Sequence, residues 1–226
     1  MTPYYEDQSG IVIYHGDCRD VLPFLQKVDL LLTDPPYGTN TAVDSARFSG
    51  GTKTFGRCAV AERLPIVGDS EFFDPSHLLK FKRAIIFGAN NFAAQLPPSN
   101  GWLVWDKRVG LEEMDGWPLG EAELAWTNVT GAVRMFRNRW MGVVRDTEQG
   151  DYFHPTQKPL ALMRWAIRQW SKAGETVLDP YMGSGTTLRA AKDLQRKAIG
   201  IEIEERYCEI AANRLRQEVL QFEASA

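Results

Sequence analysis

Residues 178–187 read LDPYMGSGTT. They follow the apolar run 175–178 and precede a helical pattern over 186–194, so the two glycines lie in a strand-to-helix turn. Glycines in such a turn let the backbone approach a ligand closely, and acidic Glu202 stands at the end of the next apolar run. An acidic side chain in that place can accept hydrogen bonds from both hydroxyls of a ribose. The pattern therefore indicates a nucleoside-containing cofactor.

This turn differs from two common phosphate-binding loops. No lysine follows its last glycine, as in a Walker loop, and only Gly183 and Gly185 are present, so the GxGxxG pattern of dinucleotide-binding turns is absent. Asp179 lies where a pyrophosphate would meet a like charge, whereas a carboxylate there suits a ligand that carries an ammonium group. An ordinary glycine turn without a ligand is the alternative interpretation.

Strand and helix patterns alternate on both sides of this turn. Strands followed by helices predict an α/β fold with a mostly parallel sheet covered on both faces. Residues 106–150 show no clear period and are rich in aromatic side chains. The predicted strands are 11–15, 28–33, 83–88, 102–105, 175–178 and 198–203, and the predicted helices are 78–81, 160–170, 186–194 and 205–222.

The composition limits the class of protein. A chain of 226 residues with 44% hydrophobic residues is expected to form a single domain over 1–226. The net charge of −3 excludes a histone-like polycation but leaves room for a local basic face. Cys18, Cys58 and Cys208 are too far apart for a metal site or a disulfide framework, so no metal is expected. Because the sequence shows no signal peptide and no apolar run long enough to cross a bilayer, we expect a cytoplasmic protein that does not associate with a membrane.

A second motif, DPPY at residues 34–37, follows the predicted strand 28–33. Two prolines without N–H groups cannot continue a central strand, so the chain leaves the sheet abruptly after Thr33. Asp34 and the Pro35 carbonyl can then accept both N–H bonds of an exocyclic amino group, while Tyr37 stacks on the ring. The alternative is a turn that merely ends a strand.

Two segments are candidates for contact with nucleic acid. Residues 39–67 form a long segment without periodicity, interpreted as a mobile basic loop. Residues 131–145 contain no acidic residue, and their arginines alternate with aromatic side chains. A solvated face is the alternative for these arginines. The candidate DNA-binding residues are Arg47, Lys53, Arg57, Arg134, Arg137, Arg139 and Arg145.

Together with HPTQKP at residues 154–159, these motifs resemble the amino-methylating DNA methyltransferases that use S-adenosylmethionine. The DPPY motif precedes the glycine-rich motif, which is similar to the circularly permuted β group of that family. Residues 11–38 and 152–215 carry the resemblance, and 39–150 match only in general layout. The resemblance implies a Rossmann-like, doubly wound sheet with a cofactor-binding half at 152–215 and a small DNA-recognition insertion at 101–150.

The resemblance also implies roles for single residues. The DPPY residues Asp34, Pro35, Pro36 and Tyr37 would be catalytic. Asp17 and Cys18 would face the cofactor adenine, Glu202 its ribose, and Thr156 and Lys158 its methionine end. Tyr181 is a departure, since Phe is common at that position. The full implied cofactor-binding set is Asp17, Cys18, Asp34, Thr156, Lys158, Asp179, Pro180, Tyr181, Gly183, Ser184, Gly185, Thr186 and Glu202.

The implied reaction is methylation of the N6 amine of an adenine flipped out of duplex DNA. Within the family, Asp at the first position of the tetrapeptide is associated more often with adenine than with cytosine. N4-cytosine methylation, RNA adenine methylation and a catalytically silent DNA-binding module are the alternatives, in that order. A chain with so small a recognition segment is expected to act as a homodimer, encoded by a bacterium or a phage.

Overall fold

The computed structural model describes residues 1–38, 67–110, 120–141, 144–145, 148 and 157–217. Helix α1 spans Cys18–Val21, α2 Leu160–Trp170, α3 Thr186–Asp193 and α4 Glu205–Arg216. The strands of the first half are β1 Tyr5–Glu6, β2 Ile11–His15, β3 Leu30–Thr33, β4 Ala84–Phe87 and β5 Trp102–Asp106. Those of the second half are β6 Ala122–Thr127, β7 Arg134–Arg137, β8 Trp140–Met141, β9 Val144–Arg145, β10 Thr176–Asp179 and β11 Lys197–Glu202.

Nine of these strands form one mixed sheet in the order β1-β2-β11-β10-β3-β4-β6-β5-β7, and β8 pairs with β9 separately. The run from β2 to β4 is parallel throughout. Strand β6 is antiparallel to both of its neighbours, and β7 returns parallel to β5. The predicted α/β, mostly parallel architecture is confirmed, and the structure is consistent with a Rossmann-like fold.

Both faces of the sheet are covered, because alternate residues of the central strands enter two separate apolar cores. In β3, Leu30 and Leu32 join the core beneath α2, α3 and α4, whereas Leu31 joins the other core. That second core lies under short elements, among them α1 and a 3₁₀ helix at Ala89–Gln95 that the sequence did not indicate. The faces are therefore covered unequally, by three longer helices on one side and by short turns on the other.

Two of the sequence predictions about local structure are wrong. Residues 78–81 do not form a helix: Leu78 N donates to Pro75 O at 2.8 Å in a succession of turns, and Leu78 is fully buried while Leu79 and Phe81 pack partly against the same core. Residues 106–150 are not irregular throughout, since they contain β6 and β7 of the main sheet. Strand β6 was not predicted because Ala125, Trp126 and Thr127 are all buried, so the sequence lacks the alternation of apolar and polar residues that is typical of a strand.

The remaining predicted elements match closely. Helix α2 has the predicted bounds, and strands β10 and β11 are each displaced by one residue. Helix α4 begins at the predicted residue but ends at Arg216, because the backbone of Gln217 is extended, so the predicted end at 222 is wrong. None of the helices in the described ranges is long and apolar enough to cross a membrane.

This topology collects polar residues at one edge of the sheet. The carboxyl ends of β3, β10 and β11 are followed or closed by Asp34, Asp179 and Glu202. Because β6 runs the opposite way, its beginning lies at this same edge and brings Glu123 there. In open α/β sheets, ligands bind in the crevice at the carboxyl ends of the strands.

Candidate active site

The glycine-rich turn leaves β10 through two backbone conformations that favour glycine. Gly183 and Gly185 have φ values of 49° and 79°, in the left-handed region that L side chains rarely adopt. A Cβ on Gly185 would lie 2.7 Å from the Cβ of Ala211 in α4. The turn thus brings the amino end of α3 against α4 more closely than any side chain would allow.

Asp179 lies buried at the end of β10, with 4% of its surface exposed. Its Oδ1 accepts hydrogen bonds from the Thr33 hydroxyl at 2.7 Å and from the Tyr181 N–H at 3.2 Å. Burial raises the pKa of Asp179 to about 6, against the hydrogen bonds from the Thr187 and Thr33 hydroxyls. A buried carboxylate held by neutral donors is a good site for a ligand cation.

Glu202 ties the next strand to the same turn. Its Oε2 accepts from the Gly183 N–H at 3.0 Å, and its Oε1 accepts from the Glu204 N–H at 2.8 Å. Burial raises the pKa of Glu202, against these backbone donors. Since each carboxylate oxygen has two lone pairs, both oxygens can still accept from a ligand hydroxyl.

Arg214 of α4 supports the turn from behind and was not found from the sequence. Its guanidinium donates to the Ser184 carbonyl at 2.6 Å and to the Ser184 hydroxyl at 3.1 Å. Ser184, Thr186 and Arg214 are all buried. Ser184 and Thr186 therefore meet a fixed protein cation, a contact that no local sequence pattern reveals.

The residues predicted to face an adenine gather at the end of β2. Asp17 caps α1 by accepting from the Arg19 N–H at 2.8 Å, and its Oδ2 pairs with the Arg19 guanidinium at 2.5 Å. Cys18 is buried, with its sulfur 3.9 Å from His77 Nε2. The hydroxyl that distinguishes Tyr181 from Phe lies 2.9 Å from the same His77 nitrogen.

The DPPY motif forms the other half of the site. Asp34 follows β3, and its Oδ1 accepts from the Tyr37 hydroxyl. Its Oδ2 accepts from the Lys158 ammonium at 2.5 Å. The Tyr37 ring lies in space left by Gly88, whose φ is 67° and whose Cβ would fall 1.8 Å from Tyr37 Cε1. Burial raises the pKa of Asp34, and the adjacent Lys158 opposes this rise.

Lys158 lies between two carboxylates rather than at the surface. It retains 7% of its side-chain exposure, and its ammonium is 3.1 Å from Glu123 Oε2, as an ion pair outside hydrogen-bond geometry. Burial alone would lower the pKa of Lys158, but Asp34 and Glu123 raise it well above the ordinary value. Glu123 was missed in the sequence because it enters the site from the unrecognised strand β6.

The candidate DNA-binding arginines lie at different ends of β7. Arg137 is at the end of β7 that lies at the same edge of the sheet as Asp34, and its Nε is 3.7 Å from the Asp106 carboxylate. Arg139 follows it in the chain. Arg134 is at the opposite end, where it lines a surface groove with Trp165 and Trp170. Arg47, Lys53, Arg57, Thr156, the side chain of Arg145 and all of the loop 39–67 except its last residue lie outside the described part of the chain.

No cluster of three or more potential metal ligands occurs among the residues that the structure describes. The chemical groups of this edge are instead carboxylates, a buried ammonium, backbone N–H groups and aromatic rings. Such groups can bind a polar organic ligand and orient a second planar one beside it.

Known proteins share both the sequence and the architecture. Residues 121–213 match a family model described as DNA methylase. The type II methyltransferase M.HinfI of Haemophilus influenzae is 47% identical over 70 residues, which cover 31% of this chain and 20% of that protein. The matched part thus represents about a fifth of that relative's length.

Solved structures extend the likeness to nearly the whole fold. The M1.HpyAVI–SAM complex has a TM-score of 0.54 and 24% identity, covering 91% of this chain and 98% of that one. The PvuII cytosine-N4-specific DNA methyltransferase has a TM-score of 0.63 and 14% identity, covering 96% and 89%. At these identities the two structures establish the fold alone. The chain is thus similar in sequence to DNA methylases over residues 121–213, and similar in fold to solved DNA methyltransferases.

Proposed function

We propose that this protein transfers a methyl group from S-adenosylmethionine to the exocyclic N6 amine of adenine in duplex DNA. The observation that carries the proposal is the adjacency of the two motifs. Strands β3 and β10 are neighbours, and Thr33, directly before the DPPY motif, donates a hydrogen bond to Asp179 beside the glycine-rich turn. A planar amine at one motif would therefore lie next to a cofactor at the other.

The residues of the turn fit S-adenosylmethionine. Asp179 is a buried carboxylate for which no ion pair is found among the described residues, which suits the amino group of the methionine part. Glu202 has spare acceptor capacity for ribose hydroxyls, and the Asp17 carboxylate near it can accept from the adenine amine while it pairs with Arg19. M1.HpyAVI was solved with SAM bound on the same fold.

The cofactor supplies a methyl group on a positively charged sulfur. Asp34 and the Pro35 carbonyl accept the two N–H bonds of the target amine, which favours rehybridisation of a nitrogen whose lone pair is delocalised into the ring. The nitrogen would form a bond to the methyl carbon while the bond from sulfur to carbon breaks and leaves its electron pair on sulfur, and the nitrogen would then release one proton to solvent. Orientation of the two reactants in line can supply about 7–11 kcal/mol of the barrier.

The target amine meets a carboxylate whose two oxygens each already accept one hydrogen bond. In this structure Tyr37 bonds Oδ1 and Lys158 bonds Oδ2. Tyr37 is the displaceable one, because stacking on a base requires its ring to move, whereas Lys158 is held by a second carboxylate. A flipped base costs a few kcal/mol of lost stacking, which the Tyr37 ring partly restores.

Adenine is favoured over cytosine because the motif begins with Asp34. N4-cytosine methylation is the second candidate, since PvuII methyltransferase, a cytosine-N4-specific enzyme, has the same fold. Methyl transfer to RNA and binding of DNA without methyl transfer are the remaining candidates, and the methyl-transfer assay described below distinguishes all four.

For DNA contact we propose Arg137 and Arg139, which lie at the edge of the sheet that carries Asp34, together with the basic residues of 39–67. The proposed recognition insertion within 101–150 must exclude β5, β6 and β7, which belong to the main sheet. Arg134 faces the other end of the sheet and is assigned no DNA contact.

The experiment is incubation with labelled S-adenosylmethionine and random-sequence duplex DNA, followed by nucleoside mass spectrometry. The proposal predicts labelled N6-methyladenine. Labelled N4-methylcytosine would instead support the second candidate, label in RNA alone would indicate an RNA enzyme, and cofactor binding without any transfer would indicate a silent binding module.

We also propose a homodimer, because the segment predicted to read DNA, within 101–150, is small. Mass in solution, measured by light scattering with and without a duplex, tests this directly. A doubled mass in either condition supports the dimer, and a single-chain mass in both contradicts it.

A further inference from the structure

Four charged side chains alternate in sign across the DPPY half of the site. The Lys107 ammonium bonds Glu123 Oε1 at 2.9 Å, and Lys158 lies 3.1 Å from the other oxygen of Glu123. Lys158 in turn bonds Asp34 at 2.5 Å. Of these four residues, only Asp34 belongs to the DPPY motif. The reacting carboxylate is therefore the last member of a row of charges.

Lys158 creates an electrostatic problem for the proposed reaction. A nitrogen that attacks a methyl group gains positive charge before it loses its proton, so a net negative charge beside it lowers the barrier. An ammonium bonded to Asp34 would cancel that negative charge if it stood alone. The second carboxylate, Glu123, lies against the same ammonium and removes this cancellation.

We propose that Glu123 is a positioning residue that neutralises Lys158, so that Asp34 presents one net negative charge to the target amine. This inference rests on the proposed function. Lys107, on the outer oxygen of Glu123, fixes that carboxylate in place and keeps it ionised. Burial would raise the pKa of Glu123, but Lys158 and Lys107 lower it to about 2, so it is charged throughout the working range of pH.

The charges predict an unusual order of activities in variants. The trio Asp34, Lys158 and Glu123 carries one net negative charge in the wild type, and Lys107, the outermost member, brings the row of four to neutrality. Glu123→Gln leaves the trio neutral, so Asp34 no longer offers a net negative charge. Lys158→Gln leaves two carboxylates without the cation between them, which raises the pKa of Asp34 and favours its protonated form. The double variant restores the wild-type charge. The turnover number at saturating cofactor should therefore be higher in the double variant than in either single variant. If Glu123 served only to hold the fold, the two defects would accumulate.

The acid side of the pH profile gives a second readout. The groups that act on Asp34 are Lys158, Tyr37 and Glu123, with Asp179 on the neighbouring strand. The charge of Glu123 contributes to raising the pKa of Asp34, after burial. In Glu123→Gln, the acid limb of the turnover profile should therefore move to lower pH while the plateau falls. A purely structural residue would lower the plateau and leave the limb in place.

The test compares wild type, Glu123→Gln, Glu123→Asp, Lys158→Gln and the double variant in methyl transfer to duplex DNA. We expect turnover in Glu123→Gln to fall at least about tenfold, as for loss of a group that stabilises transition-state charge. The Michaelis constant for the cofactor should stay within about twofold of wild type, since the ion pairs of Glu123 within the described part of the chain join it to Lys107 and Lys158. Glu123→Asp should recover part of the turnover.

The outcomes separate this inference from the proposed function. If wild type transfers no methyl group to DNA, the proposed function fails. If wild type is active and the double variant is less active than both single variants, the proposed function stands and the role of Glu123 is contradicted. Thermal unfolding of each variant identifies one that does not fold. If Glu123→Gln is such a variant, Glu123→Asp and the double variant decide by the same comparison.

Discussion

Asp34 and Asp179 are two buried carboxylates at the ends of neighbouring strands, yet their surroundings are opposite. Asp34 bonds the Lys158 ammonium, a protein cation that it shares with Glu123. Among the described residues, the donors to Asp179 are neutral and include the Thr33 hydroxyl, and burial raises the pKa of Asp179 to about 6. Asp34 thus has its cationic partner within the protein, whereas we propose that Asp179 gains one from the ligand.

This difference assigns separate tasks to the two halves of the site. A carboxylate that lacks a cation is destabilised until a ligand brings one, so we propose that the Asp179 half contributes affinity for the cofactor. Asp34 already has a cationic partner in the protein, so we propose that the Asp34 half contributes orientation and electrostatics to the reacting amine. Variants in the two halves should therefore fail in different ways.

The largest effect is expected for Asp34→Ala. Loss of the acceptor for the target N–H bond should lower turnover by about 100- to 1,000-fold, the range found when one group that stabilises a transition state is removed. Cofactor affinity, measured by calorimetry, should remain within about threefold of wild type. Unchanged methyl transfer in this variant would contradict the role of Asp34.

Asp179→Asn should weaken cofactor binding at least about tenfold by removing a buried charged partner, with a smaller effect on turnover at saturation. In wild type, Asp179 becomes protonated as the pH falls through about 6, so the cofactor dissociation constant should increase from pH 7 to pH 5. The variant has no titrating group there and should lose this dependence. An identical pH dependence in both proteins would contradict the assignment of the cation site.

The two halves also differ in how far the sequence predicts them. The cofactor half is contiguous from α2 to α4, so a glycine turn, an acidic strand end and helical periodicity locate most of it. The other half depends on contacts between distant residues, such as Lys158 with Asp34, 124 positions apart. Glu123 and His77 enter through β6 and a turn, and neither segment has a periodicity that marks it as structured.

Gly88→Ala sharpens the comparison within the Asp34 half. A Cβ would fall 1.8 Å from the Tyr37 ring at a φ of 67°, so the ring must leave its place and its hydrogen bond to Asp34. Overpacking of this kind costs about 1–3 kcal/mol of unfolding free energy, and turnover should fall with it. Chemical denaturation and methyl-transfer assays measure the two effects.

Gly131→Ala is the matched control, because nothing lies within 4 Å of its Cβ position and its φ is not in the left-handed region. Its unfolding free energy should stay within about 0.5 kcal/mol of wild type. If both glycine variants lose stability equally, the close approach of Tyr37 to Gly88 is not what sets the cost.

The smallest effect is expected for Tyr181→Phe in the cofactor half. The change removes the hydroxyl bonded to His77 but keeps the ring that packs edge-on against Phe73, 5.7 Å between centroids. Loss of one hydrogen bond costs about 0.5–1.5 kcal/mol of unfolding free energy. Cofactor affinity should stay within about twofold of wild type. Tyr181→Ala, which removes the ring, should reduce both the cofactor affinity and the free energy of unfolding. Equal losses in the two variants would show that the hydroxyl, and not the ring, carries the role of Tyr181.

The most direct test of the account measures cofactor dissociation constants and turnover to N6-methyladenine side by side in Asp34→Ala and Asp179→Asn. The account predicts a crossed pattern, in which Asp34→Ala binds the cofactor normally but transfers almost no methyl group. Asp179→Asn should bind the cofactor weakly but recover turnover as the cofactor concentration rises. Two variants with the same profile, or Asp34→Ala with normal transfer to DNA, would contradict the division of the site into these halves.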